Sequence, residues 1–200
     1  MQRQITFRQY RMMDLIFFTA ALCICETLIT LGATVWFPAE PYTLSLVPAV
    51  TAVVLARWGA WTMIPAALGS LAFCLASHAA AMQFVIYLIG SMAFMALLPW
   101  IRRIGWEKLH DHVLLAMLYG MLTALLMQAG RFLVAFAAGT PAATAAGFFT
   151  TDALSTLFAV LIVWIARRLD GMLEDQRHYV RRVKEEQERE RKARQEGWEA

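Results

Sequence analysis

The first 166 residues are short of charge. They contain only eight Lys/Arg and six Asp/Glu, whereas residues 167–200 hold ten of the 18 basic and nine of the 15 acidic side chains. A water-soluble domain carries about a quarter of its residues as charges, so this scarcity argues against a soluble enzyme, a disordered chain and a nucleic-acid binder. The pI of about 8.9 comes from a near-balanced tail plus a few basic loops, not from a basic face, and no nucleic-acid partner is expected. Cysteine is scarce as well. Cys23, Cys25 and Cys74 all lie in apolar runs and give no disulfide framework. Cys23 and Cys25 are two apart on a helix, so they diverge and cannot chelate together. The sequence also lacks a His-Glu-x-x-His pair, a Gly-x-Ser-x-Gly elbow and a phosphate-binding Gly-rich loop. No enzymatic activity, metal or cofactor is expected.

What the chain has is hydrophobic length: 60% of its residues are apolar. Windows of about 20 such residues mark membrane helices, and six are read here. They run from Met12 to Ala33, Tyr42 to Ala56 (short, with Pro48), Trp58 to Ser77 (with Pro65), Ala79 to Leu98, Asp111 to Ala138 and Phe148 to Ala166. The first is too long and too polar-flanked to read as a cleaved leader. The expected fold is an all-α, six-transmembrane-helix bundle over residues 1–168, followed by a charged cytoplasmic helical tail over residues 169–200.

Loop charge sets the expected orientation. Arg3, Arg8 and Arg11 precede span one, Arg57 follows span two, Arg102, Arg103 and Lys108 follow span four, and Arg167 and Arg168 follow span six. The opposite loops contain no Lys or Arg, so the positive-inside rule puts both termini in the cytoplasm. Were the short second span not to cross, everything after it would reverse; the agreement of all the loops argues that it crosses.

Polar side chains inside a bilayer are costly and default to functional candidates. Counting about 1.5 Å of rise per residue from the basic anchors puts Glu26, Tyr87, Gln83, Gln128, Arg131, Asp152 and His78 in the outer half. The inner half is nearly bare of polar groups. That pattern suits a cup open to the outside rather than a channel, which needs polar groups along its whole length. Plainer roles compete at each position. Arg131 also suits a snorkelling side chain or an ion pair with Glu26 or Asp152. Gln83 and Gln128 also suit interhelical hydrogen bonds, Asp152 an N-cap beside Thr150 and Thr151, and His78 an interfacial cap. Small residues four apart, such as Gly120/Ala124 and Ala52/Ala56, allow close helix packing. The tail reads as a helix continuing span six, with an apolar seam at Leu169, Leu173, Gln176, Val180 and Val183 and acid-to-base pairs beyond it.

The stretch Phe37-Pro38-Ala39-Glu40-Pro41-Tyr42-Thr43-Leu44-Ser45-Leu46-Val47-Pro48 and the turn Arg57-Trp58-Gly59-Ala60, set among six short spans, resemble the substrate-binding S component of energy-coupling factor (ECF) transporters. The resemblance covers residues of roughly 10–168. It implies a subunit of a prokaryotic plasma membrane that captures a vitamin or similar small-molecule micronutrient from outside. A membrane T component and two cytoplasmic ATPases would then drive its release inside. It further implies that Trp36, Phe37 and Tyr42 close over the ligand, and that Gln83, Tyr87, Gln128, Arg131 and Asp152 line the cup with Glu26 below or beside it. The family's T-component contact uses small residues on span one; here these are Ala20, Ala21 and Cys25, with Cys25 in place of the second alanine of an Ala-x-x-x-Ala pair. Two other functions compete: a non-transporting six-span scaffold of the cell-shape type, and a sensor subunit working through its tail.

Overall fold

The computed structural model describes residues 6–37 and 43–196. These are almost wholly helical and contain no strand. Helix α1 (Phe7–Trp36) opens with a reciprocal cap: Thr6 Oγ1 accepts from the Gln9 N–H at 3.3 Å, and Gln9 Oε1 accepts from the Thr6 N–H at 3.0 Å. Capping of this kind satisfies two of the helix's unpaired N-terminal donors, and it starts the helix ahead of the apolar window.

Next come α2 (Val47–Trp58), a 3-10 turn at Gly59–Thr62, and α3 (Met63–Ala76). By length and composition the whole of Val47–Ala76 suffices for one crossing, but the chain folds back within it. Gly59 takes a φ of +56°, open to glycine and strained for other residues. A Cβ on Gly69 would come within 3.1 Å of the Val47 side chain, whereas one straight helix would hold these positions about 33 Å apart. Val47–Ala76 is therefore two arms packed side by side. Both prolines sit in first turns, Pro48 in α2 and Pro65 in α3, where a missing N–H breaks no intrahelical bond.

Helix α4 (Ala81–Gly90) runs through a 3-10 segment (Ser91–Ala96) into α5 (Leu97–Ile104), and the short α6 (Trp106–Asp111) leads to α7 (Val113–Ala137). Two further short turns, α8 (Ala142–Ala145) and α9 (Gly147–Thr151), precede α10 (Ala153–Ala166). Among the described residues, five continuous helical stretches are long and apolar enough to cross a membrane: Phe7–Trp36, Val47–Ala76, Ala81–Ile104, Val113–Ala137 and Ala142–Ala166.

Helix α2 is the axis of the bundle. Every residue in it except Val50 is buried, and α1, α3, α7 and α10 pack around it. Its apolarity on all sides and its alanines at 49, 52 and 56 suit that place, since small residues let neighbouring backbones close in. Tyr119 of α7 donates a hydrogen bond to the Ala52 carbonyl at 2.5 Å, deep in this core. Gly120 and Ala124 do pack inward, against Val163 and Ala159 of α10.

The tail departs from the expected continuous helix. Helix α10 stops at Ala166, Gly171 turns the chain with a φ of +67°, and α11 (Gln176–Glu196) starts afresh. Leu173 in the turn and Gln176 at the start of α11 are buried, so the apolar seam breaks up: part of it plugs the bundle, while Leu169 is exposed.

Candidate functional site

The site grows from a crossing of two glycines. A Cβ on Gly130 of α7 would lie 2.0 Å from the Gly90 carbonyl oxygen of α4, and one on Gly90 would lie 2.5 Å from Arg131 Cα. The two helices therefore touch backbone to backbone. That contact sets Arg131, the residue after Gly130, against Ser91, the residue after Gly90. Arg131 Nε donates to Ser91 Oγ at 3.0 Å, and Ser70 Oγ of α3 lies 3.4 Å from the same hydroxyl.

The guanidinium is held on two further sides. Nη1 donates to Asp152 Oδ2 at 2.5 Å, an ion pair in which both side chains are buried. Its Cζ lies 4.4 Å from the centroid of the Tyr87 ring, a favourable cation–π position. Tyr87 in turn packs on Phe73 and Phe148, with ring centroids 4.9 and 5.9 Å away. Gln128, one turn before Arg131, donates from Nε2 to the Asp152 carbonyl at 3.1 Å and to Thr156 Oγ1 at 2.8 Å.

A short segment after the described gap ties this centre to α1. The Thr43 hydroxyl donates to Asp152 Oδ1, and the Thr43 N–H bonds the Thr151 carbonyl at 3.0 Å. The Ser45 N–H donates to Ser155 Oγ at 2.9 Å. Next to it, the Leu46 N–H donates to Glu26 Oε2 at 2.8 Å. Residues 43–46 thus bridge the two buried carboxylates. Glu26 Oε1 and Thr30 Oγ1, one helical turn apart on α1, are buried and find no hydrogen-bond partner among the described residues. Buried polar atoms are nearly always satisfied, so these two stand out at the edge of the centre.

Of the sequence candidates, the structure brings together Tyr87, Gln128, Arg131 and Asp152, with Glu26 joined through residues 43–46. Gln83 stands apart. It is exposed in the first turn of α4, where Oε1 accepts from the Ala80 N–H at 2.9 Å. Trp36 and Phe37 are exposed and line a separate groove of about 640 Å³, walled by apolar residues such as Leu28, Leu44 and Leu154. Tyr42 lies outside the described residues. Ala20, Ala21 and Cys25 lie on the exposed face of α1. His78 has a φ of +53° in the tight turn after α3. Asp152 immediately precedes α10, yet its side chain caps nothing and serves Arg131 and Thr43 instead.

Sequence reasoning missed the hydroxyls Thr43, Ser45, Ser70, Ser91, Ser155 and Thr156. A usable signal existed for three of them. Ser91 is four residues from Tyr87, and Ser155 and Thr156 are three and four from Asp152, the spacings that share a helix face. Among the described residues no group of three or more His, Cys, Asp or Glu side chains is placed to hold a metal ion. In comparison with known proteins, no family model, no curated protein and no solved structure matches this chain.

Proposed function

We propose that the chain is a solute-capture subunit of the S-component type, crossing the membrane six times with both termini on the cytoplasmic side. It takes a small polar or anionic molecule, of the size of a vitamin, from outside, and it passes the molecule inward with a T component and two ATPases on separate chains. The observation that carries this reading is the buried Arg131–Asp152 pair set against the Tyr87 ring. An aromatic wall with a few fixed polar groups is what a small-molecule pocket needs. A guanidinium within it favours a carboxylate or phosphate on the ligand. Six crossings and the orientation are supported by the fold-back at Gly59 and by one cavity that gathers Arg11, Arg57, Arg102 and Arg177 at the end opposite the polar centre.

The test is mass spectrometry of small molecules that co-purify with detergent-solubilised protein, compared between the native chain and R131A. A discrete compound retained by the native chain and lost from a folded R131A variant is the expected result. A second reading, a non-transporting scaffold, is favoured by the closure of Arg131 directly on Asp152. It predicts no retained compound in repeated preparations, and that outcome would remove the capture reading.

A further inference from the structure

At the other end of the bundle, a cavity of about 260 Å³ is lined by Arg11, Arg57, Arg102 and Arg177, with Asp175 as its one carboxylate. Much of that charge is uncompensated. Arg57 is engaged by Asp14 at 3.0 Å and by the Gly171 carbonyl at 2.8 Å. Asp175 Oδ1 accepts from the Arg177 backbone N–H at 2.8 Å. Arg11, Arg102 and Arg177 form no ion pair among the described residues. The cavity is polar and too small for a folded partner, and three guanidiniums converging there call for phosphate, which they bind in two-point fashion.

A second, apolar groove lies beside this cavity. Arg11 and Trp61, stacked with the Arg11 Cζ 4.2 Å from the indole centroid, also border a groove of about 490 Å³ between α1 and α3. Arg8 joins Arg11 at the mouth of this groove, whose walls are otherwise mainly apolar, among them Met12, Leu15, Ile16, Ile64 and Leu68. From Arg8 to Cys23 it follows α1 for about 22 Å. A basic pocket and an apolar trough thus lie side by side, with Arg11 and Trp61 common to both.

We propose that this corner binds an anionic phospholipid, with the phosphate among Arg11, Arg102 and Arg177 and an acyl chain along the α1–α3 groove. A free phosphate or nucleotide would use the arginines and leave the trough empty. A transmembrane helix of a partner would cover the trough with no use for three cations. A phospholipid satisfies both halves, and basic pockets between helices at this level are suited to anionic headgroups. The proposal rests on the helices lying in a bilayer and is independent of any captured solute.

The test uses the full-length protein, delipidated in mild detergent and titrated with phosphatidylglycerol or phosphatidylcholine of identical acyl chains, read by native mass spectrometry. Phosphatidylglycerol is expected to bind preferentially. R11Q/R102Q is expected to weaken it by about thirtyfold, as for two cations facing an anionic headgroup, while R11K/R102K, which keeps the charge but not the two-point geometry, weakens it less and R103Q, outside the cavity, changes nothing. Should R11Q/R102Q not fold, R177Q at an exposed side chain gives the same reading. Equal binding of both lipids, unchanged affinity in the folded Arg→Gln variants, or saturation by inorganic phosphate or ATP to the exclusion of lipid would each overturn the proposal.

Discussion

Arg131 and Asp152 are each buried with the other as principal counter-charge, so neither can be removed alone without leaving an uncompensated ion in the core. Breaking such a pair from one side costs about 3–5 kcal/mol, whereas replacing both partners by apolar groups of similar volume is often neutral. R131M and D152L should therefore each lower the unfolding midpoint strongly in detergent, and R131M/D152L should recover most of the loss. A double variant no more stable than the worse single one would show that Ser91, Thr43 and Gln128, not the pair, hold the centre together. The Thr43 hydroxyl belongs to the same network through Asp152 Oδ1. T43V should cost about 1 kcal/mol, the scale of one hydrogen bond, on the same unfolding assay.

At the level of elements, the crossing of α4 and α7 is the contact on which the site depends. G130A would place a methyl carbon 2.0 Å from the Gly90 carbonyl oxygen, which is backbone and cannot swing aside. The helices must part, at a cost of about 1–3 kcal/mol for overpacking of this kind, and Arg131 must leave Ser91. G147A meets nothing within 4 Å and should leave the unfolding midpoint unchanged. The Gly90–Gly130 contact was illegible in the sequence because its two members lie on different helices, and local spacing says nothing of which helices meet. Gly120 and Ala124, four apart, advertised a close face correctly but not its partner α10. Rise along a helix is a simple count, and it gave Gln128, Arg131, Asp152 and Tyr87 similar heights; the structure gathers these four. Gln83 shows the limit of that count. It gives height without direction, and in the first turn of α4 the Gln83 amide is consumed by the Ala80 N–H. The hydroxyls escaped notice because Ser and Thr in apolar helices ordinarily bond their own backbone, as Thr27 and Thr123 do here.

Within the bundle of the whole molecule, inward-facing charge gathers at two centres, a paired, buried one near Arg131 and an arginine-rich one around Arg57, joined by the packed α2. The second centre is walled on one side by the chain's own tail. Arg57 bonds Asp14 and the Gly171 carbonyl, Trp58 Nε1 donates to Asp14, and Gln176 accepts from the Tyr10 hydroxyl at 3.0 Å while donating to Gly171 at 2.7 Å. Residues 171–176 are thus part of the bundle, with Leu173 fully buried in the main core. The boundary read from composition, at 168, follows the onset of dense charge, but packing continues to Gln176 and Tyr179, whose ring lies against Gly171. This bears on any test of a signalling role for the tail. Deleting residues 169–200 would remove Leu173 from the main core and would strip Arg57 of an acceptor, so any loss of output would follow from lost stability whatever the tail does. Deleting residues 184–200 removes only exposed or undescribed positions and leaves the Arg182 pairs with Asp170 and Glu174 intact. That shorter deletion should change the unfolding midpoint by an amount within about 0.5 kcal/mol, while the longer one lowers it steeply. If the folded 1–183 chain retains its co-purifying solute, the outer helix is dispensable for capture; if folding fails at 183, the charged stretch contributes to the bundle through contacts beyond those between Arg182, Asp170 and Glu174.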